Sequence, residues 1–176
     1  DLLAATAEAA LDRVDRESQL RKQDRELQRQ NDRLTTLNRI NETIREIDQA
    51  IVQSETREEI NHTVCERLTA DGRFRLAWIG TLDGPDETVT PQAWAGTDHG
   101  YLDTQSFHVS ADGGEPAGRT AATEEVTLVS NVAADLSAAP WRKDAISRDL
   151  LSVLSIPLVY NDLSYGVLTV YAETPD

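Results

Sequence analysis

Apolar residues in the first fifty positions recur with a period of seven, and polar or charged residues fill most positions between them. Two series that lie three residues out of step carry the pattern: Leu20, Leu27 and Leu34, then Leu37, Ile44 and Ile51. The segment has no Gly or Pro and is rich in Arg, Gln, Glu and Leu, which favour helix. Sustained heptads predict a coiled coil or a long docked helix. Because a lone exposed stripe of leucines is unfavourable, we expect this helix to pair in a homodimer, with a solvated single helix as the alternative.

A second, shorter helix is predicted to begin at Thr56 and to end at Asp71-Gly72. Thr56 and Glu59 have the spacing of a capping box, in which each residue satisfies a backbone N–H of the other. Cys65 lies beside the apolar face of this helix and is expected to be a small core hydrophobe. His62 lies off that face with no partner at ligand spacing, so we interpret it as an exposed histidine rather than a phosphoacceptor or a metal ligand.

After Gly72 the pattern changes to alternating apolar and polar positions bounded by turn residues, which is typical of strands. Six strands are predicted, at Arg73–Leu82, Thr88–Ala95, Thr104–Val109, Glu125–Val129, Leu151–Tyr160 and Ser164–Tyr171. Short helices are predicted at Pro116–Ala122 and from Pro140-Trp141, since Pro suits the first turn of a helix. Strands interrupted by short helices, after two N-terminal helices, predict an α+β domain built on an antiparallel sheet.

The composition excludes several classes of protein. The chain has 176 residues, 31 acidic and 17 basic, and a net charge of −14. It therefore lacks the basic surface that direct nucleic-acid binding requires. No apolar run approaches the ~18 residues of a membrane span and no signal peptide opens the chain, so we expect a cytoplasmic protein without a membrane partner. The single cysteine excludes an internal disulfide and a multi-cysteine metal site. The absence of methionine leads us to expect a piece of a longer protein.

The charge is unevenly distributed along the chain. Residues 1–53 have a net charge of −2, whereas residues 54–176 have −12. Only Lys22 and Lys143 are lysines. An acidic surface poor in lysine fits either ordinary solvation or adaptation to a high-salt cytoplasm, where salt screens the self-repulsion. We favour the halophilic interpretation. The balanced charge of the first segment fits two helices lying side by side.

The last two predicted strands carry a family resemblance. Ser152–Tyr160, with Pro157-Leu158, and Tyr165–Tyr171, with Gly166-Val167-Leu168, resemble the closing strand pair of a GAF domain. Pro116–Ala122 with the strand after it is similar to the family's central helix and strand. Four stretches resemble haloarchaeal sensor-regulators of the bacterio-opsin activator type and related histidine kinases: Ala77–Gly80, Thr90–Gly96, Pro140–Arg142 and the ending Val170–Ala172.

The resemblance implies a GAF-like six-stranded antiparallel sheet with flanking helices over residues 37–176, preceded by a signalling helix or coiled coil over residues 1–36. It implies a non-catalytic sensory module that relays a signal through a dimeric helix to a transcriptional or kinase output domain. The alternative is a ligand-free dimerisation spacer. Bilin-carrying members use a cysteine in the ligand-side loops, so Cys65, on a helix, predicts no covalent bilin. The sulfoxide-reductase members need several loop cysteines, which this chain lacks, so we do not expect that activity. The resemblance does not identify a cofactor.

In such a fold the ligand side of the sheet is roofed by residues 98–108 and 131–147. An aromatic-lined cleft with a few polar groups is the usual small-molecule site. The candidate ligand-binding residues are Trp94, Tyr101, His108 and Trp141, with Arg119 or Asp135 as the polar anchor. The alternative is that these aromatic residues fill the core under the loops. We predict no catalytic constellation and no metal site.

Overall fold

The computed structural model describes residues 2–83, 87–112, 114–135 and 139–175. The chain divides into two compact units, Asp1–Arg45 and Glu46–Asp176. Helix α1 spans Leu2–Gln53, so the predicted long helix is confirmed. No helix among the described residues is long and apolar enough to cross a membrane.

Helix α2 (Arg57–Thr69) begins where the capping pattern predicts. The Thr56 side chain accepts a hydrogen bond from the Glu59 backbone N–H at 3.2 Å. The Glu59 carboxylate accepts from the N–H of Glu55 at 3.0 Å, one residue before the expected donor. Two backbone donors at the helix start are thus satisfied by side chains.

A six-stranded antiparallel sheet forms the centre of the second unit, as predicted, and its strand order is β3-β2-β1-β6-β5-β4. The strands are β1 (Leu76–Asp83), β2 (Thr88–Gly96), β3 (Phe107–His108), β4 (Thr127–Val129), β5 (Ser152–Tyr160) and β6 (Leu163–Ala172). The central pair β1 and β6 joins the N-terminal hairpin β1–β2 to the C-terminal hairpin β5–β6. The turn of the second hairpin has positive φ at both Asn161 and Asp162, which matches the type I′ geometry that such short connections favour.

Several predicted strands start later in the structure, and the first begins at Leu76 rather than Arg73. The predicted third strand, Thr104–Val109, is wrong over its first part, because Thr104 closes a one-turn helix, α3 (Tyr101–Thr104), by donating its N–H to Gly100. Only Phe107–His108 pair with β2. The fourth strand begins at Thr127 because the preceding helix α4 (Pro116–Thr123) ends on a left-handed Glu124.

Each face of the sheet carries its own apolar cluster. The first cluster lies under α2 and consists of Cys65, Ala77, Ile79 and Val170, so the prediction that Cys65 is a core residue is confirmed. The second cluster lies on the opposite face under α3, α4 and α5 (Pro140–Ser147). It also includes Val132 of the single 3₁₀ turn Val132–Asp135. Alternation along β1 explains the division, since successive side chains point to opposite faces.

Candidate functional site

The second cluster is dominated by aromatic rings. Trp78 lies 4.5 Å from Phe107 between ring centroids, in a tilted arrangement. Tyr101 contacts Phe107 and Tyr171 edge-on, at 6.4 Å and 5.5 Å. Edge-to-face and tilted ring pairs of this kind are favourable beyond the area they bury. The four rings form one continuous wall between the sheet and helix α3.

A buried carboxyl group lies against this wall. Glu115 is the N-cap of α4, is only 5% exposed, and accepts the Ala117 backbone N–H at 2.7 Å. Its other carboxyl oxygen accepts a hydrogen bond from the Tyr171 hydroxyl. Burial raises the pKa of Glu115 from 4.5 to about 7, although these hydrogen bonds oppose the shift. Glu115 therefore changes its protonation state near neutral pH.

Burial, reinforced by the Glu115 charge, holds the pKa of Tyr171 well above its usual range. The same two causes act on the pKa of Tyr101. Both phenols are therefore neutral donors at physiological pH. Of the two, only Tyr171 uses its hydroxyl proton in a hydrogen bond to the carboxyl group.

Three other polar atoms of this aromatic cluster are buried without a hydrogen-bond partner among the described residues: Trp78 Nε1, Tyr101 OH and Trp141 Nε1. Buried polar groups are normally paired, and leaving one unpaired costs about 1–3 kcal/mol. Of the described side chains, only Arg75 has a further buried atom of this kind, its Nε. The unpaired donors are thus concentrated on the α3–α4–α5 face.

A polar network fastens α5 over this face. Asp144 accepts hydrogen bonds from Gln105 at 2.6 Å and Thr104 at 3.2 Å, and it pairs with Arg148. Burial alone would raise the pKa of Asp144, but the bonds from Arg148 and Gln105 hold it below its usual range. The Arg148 guanidinium also lies 5.9 Å from the centre of the Tyr101 ring. The roof helices α3 and α5 are therefore joined by charge-assisted contacts.

A small cavity of about 210 Å³ opens between α4, β4 and α5. Its walls combine apolar residues with two arginines, and no acidic residue lines it among those described. The guanidinium of Arg142 lies 5.2 Å from the Trp141 ring centre and donates to the Val132 carbonyl at 3.1 Å. The lining residues are Gly114, Pro116, Arg119, Thr127, Val129, Ala139, Trp141 and Arg142.

The structure brings together part of the candidate ligand-binding set. Arg119 and Trp141 line this cavity, and Tyr101 is buried in the same core cluster as Trp141. His108 lies on β3 with an exposed side chain and does not line the cavity. The side chain of Asp135 lies outside the described residues. Trp94 is placed elsewhere.

Trp94 lies opposite Trp78 in the β1–β2 register and is 47% exposed. It lines a separate open groove of about 590 Å³ together with His62 and Glu66 of α2. His62 is exposed, as expected, with its Nδ1 4.0 Å from the Glu66 carboxylate. The described residues contain no cluster of His, Cys, Asp and Glu that could hold a metal ion.

Sequence reasoning missed two residues of this face. Arg142 immediately follows Trp141, so the helical turn that carries one also carries the other to the cavity. Glu115 immediately precedes Pro116, and an acidic residue before a helix-starting proline is a recognisable N-cap signal. The signal for Glu115 predicts a cap, but it does not predict burial.

The predicted dimer residues lie on α1 with their side chains largely exposed. Leu20, Leu27 and Leu34 are 59–64% exposed, and Leu37 and Ile44 are 47% and 50% exposed. The side chain of Ile51 lies outside the described residues. A helix that presents this many large apolar side chains to solvent has an unpartnered face.

Comparison with known families gives a match over most of the second unit. The sequence profile described as GAF domain matches residues 54–176. The chain belongs to the GAF family.

Two curated haloarchaeal relatives are regulators of transcription by name. A candidate transcriptional regulator of Haloferax volcanii is 30% identical over 167 residues, which cover 92% of this chain and 25% of that protein. The bacterioopsin transcriptional activator of Halobacterium salinarum is 28% identical over 137 residues, covering 76% of this chain and 19% of that protein. The chain thus spans 25% and 19% of these relatives' lengths, and the expected resemblance to haloarchaeal regulators is confirmed.

Solved structures confirm the fold. The nlh2 GAF domain of A. aeolicus in an inactive state superimposes with a TM-score of 0.62 at 22% identity, covering 80% of this chain and 83% of that one. The free methionine-R-sulfoxide reductase of Neisseria meningitidis in complex with its substrate gives 0.58 at 16% identity, covering 73% and 70%. The same fold therefore occurs in a GAF domain with an inactive state and in an enzyme, so function must be argued from the site.

Proposed function

We propose that this chain is a non-catalytic sensory module of a larger transcriptional regulator or sensor kinase. In this proposal the GAF domain responds to a small molecule, and helix α1 carries the response to an output domain as part of a homodimer. The family match and the regulatory names of the two haloarchaeal relatives support it. Those relatives are four to five times longer than the matched stretch, which leaves room for an output domain in a protein of that kind.

The exposed apolar series on α1 is the observation that carries the proposal. The two heptad series lie on a helix that continues to Gln53. In the first series, Leu27 is 64% exposed and Leu34 is 59% exposed. Pairing with a second copy would bury both series in one seam. We place the signalling helix at residues 1–36 and the sensory domain at residues 37–176.

Catalysis by the cysteine has no support from its surroundings. Cys65 is buried on α2, and burial raises the pKa of its thiol to about 12. Its sulfur lies 3.7 Å from the Ala93 carbonyl. A thiol acts as a nucleophile through its thiolate, which is scarce at neutral pH when the pKa is this high. The sulfoxide-reductase chemistry of the structural neighbour is therefore not proposed for this chain.

A second candidate function is a ligand-free dimerisation spacer. Burial of Tyr101 and Trp141 favours it, because both rings help to fill the core rather than line an open cleft. The unpaired donors and the arginine-lined cavity favour sensing, since a spacer has no need of either. We therefore prefer the sensory module.

Substitution within the heptad series tests the proposal. Leu27→Asp places a charge in the seam, and we expect it to convert a dimer of this chain into a monomer in sedimentation equilibrium at high potassium chloride. Gln28→Asp is the matched control, because it adds the same charge one residue outside the series and should leave the dimer intact. In the full-length protein, Leu27→Asp should also abolish regulated output. A monomeric wild-type chain, or full regulation by the Leu27→Asp protein, would overturn the proposal.

A further inference from the structure

The cavity between α4 and α5 has a composition that contrasts with the rest of the surface. The whole chain carries 31 acidic residues against 17 basic ones. The cavity lining nevertheless includes two arginines and, among the described residues, no acidic residue. Arg119 makes no ion pair with any described residue, so its charge is available to a ligand. An anion entering from solvent would leave an acidic surface for a local positive site.

The apolar part of the lining is equally specific. Pro116, Val129, Ala139 and the Trp141 ring supply most of the wall that is not arginine. Trp141 is 5% exposed and Ala139 is 9% exposed, whereas Arg119 is exposed to solvent. The cavity therefore runs from a charged rim to an apolar floor. A ligand with one anionic end and one apolar end matches that gradient.

Size narrows the ligand class. The cavity has a volume of about 210 Å³. This falls below the ~300–1,000 Å³ typical of sites for drug-sized ligands. Nucleotides and tetrapyrroles are too large, whereas a carboxylate attached to a single ring or a short branched chain fits.

We propose that this cavity binds a small organic carboxylate, with Arg119 and Arg142 on the carboxylate and the Trp141 side of the cavity on its apolar part. Arg142 is held in place by its bond to the Val132 carbonyl and by the Trp141 ring beneath it. Arg119 approaches from α4, so the ligand would join α4 to α5. This inference rests on the proposed sensory function and gives that function a chemical class of ligand.

Isothermal titration calorimetry with sodium benzoate, at constant chloride, tests the proposal. Benzoate combines one carboxylate with one ring, benzamide keeps the ring without the charge, and nitrate keeps the charge without the ring. We expect saturable binding of benzoate. Benzamide should bind at least about tenfold more weakly because it lacks the charged acceptor, and nitrate at least about tenfold more weakly because it buries no ring. Equal binding of benzamide or of nitrate, or no saturable binding of benzoate, would overturn the proposal.

Two variants locate the site. Arg119→Gln removes an exposed, unpaired charge and should weaken benzoate binding about tenfold without moving the thermal unfolding midpoint of the free protein. Lys143→Gln is the matched control, because Lys143 is exposed next to Arg142 but does not line the cavity, and its binding should equal that of wild type. Unchanged binding by Arg119→Gln, or an equal loss in both variants, would contradict the assignment.

These experiments distinguish a failure of the carboxylate assignment from a failure of the proposed sensory function. If benzoate binds through Arg119 but the chain is monomeric, the ligand class stands and the relay through a dimeric helix is wrong. If the chain is dimeric and regulates output but binds no carboxylate, the ligand class is wrong and the sensory function stands.

Discussion

The two faces of the sheet are packed in different ways. Under α2, the cluster consists of aliphatic side chains and one protonated thiol, and none of the unpaired buried polar atoms belongs to its residues. Under α3, α4 and α5, the cluster is rich in aromatic rings, one of which, Tyr171, donates to a buried carboxyl group, and three buried donors make no hydrogen bond of normal geometry among the described residues. The first face supports the sheet, whereas the second contains polar groups whose cost a purely structural face would avoid. We therefore propose that the face under α3, α4 and α5 is the ligand side of the domain.

The largest expected effect concerns Glu115 and pH. Because its pKa rises from 4.5 to about 7 on folding, the folded protein holds this proton more tightly than the unfolded chain does. Protonated Glu115 therefore makes its full contribution to the free energy of unfolding below about pH 4.5, and this contribution is lost as the pH rises through about 7. At about 1.4 kcal/mol per pKa unit, ionisation of Glu115 costs the folded state about 3 kcal/mol.

Glu115→Gln removes this titration while keeping the size and the acceptor oxygen of the side chain. We expect the free energy of unfolding of wild type, minus that of Glu115→Gln, to fall by about 3 kcal/mol between pH 4.5 and pH 7.5. Urea unfolding at constant salt measures the free energy of unfolding of wild type and of Glu115→Gln at each pH. A difference that stays constant across this range would mean that the carboxyl group is not buried as described.

A smaller effect is expected when Glu115 loses its phenolic donor. Tyr171→Phe leaves the carboxyl oxygen without the hydroxyl that now donates to it. We expect a loss of about 1–3 kcal/mol in the free energy of unfolding at neutral pH, with a further rise in the pKa of Glu115. Tyr160→Phe removes an exposed hydroxyl from β5 and should change stability by less than about 0.5 kcal/mol. Equal stability of the two variants would contradict the buried pair.

The smallest effect, of opposite sign, is expected at the neighbouring ring. The Tyr101 hydroxyl is buried and makes no hydrogen bond of normal distance and angle among the described residues, although it interacts with the Tyr171 hydroxyl. Tyr101→Phe should therefore leave stability unchanged or raise it by up to about 1 kcal/mol. Thermal unfolding of this variant beside Tyr171→Phe gives the comparison directly. A loss of about 1 kcal/mol or more would show that this hydroxyl is already satisfied.

The sequence predicted the architecture because the relevant signals are local. The heptad spacing of Leu20, Leu27 and Leu34 predicts α1, the cap at Thr56 predicts the start of α2, and Asn161-Asp162 predicts the last turn. The third strand was predicted too long because Thr104 has high strand propensity, but its backbone N–H is taken by the carbonyl of Gly100.

The candidate site was predicted less well, because its members meet only through tertiary packing. Arg119 and Trp141 were predicted and share a cavity, yet Trp94, from the same aromatic set, lies in another groove. Periodicity shows which face of a strand is apolar, but it does not show which helix covers that face. Arg142 and Glu115 were missed because their importance depends on burial and on partners far along the chain.

The most direct test of the account follows α1 while the cavity is filled. A spin label at Gln28→Cys reports the distance across a dimer by pulsed electron resonance, and Cys65 can remain because its thiol is buried and protonated. We predict a dimer distance that shifts by about 1–2 Å, or redistributes between two values, when benzoate saturates the chain. The Arg119→Gln chain at the same benzoate concentration should show a much smaller shift. The absence of a distance between copies, or the same distribution with and without bound benzoate, would contradict a sensory domain that signals through α1.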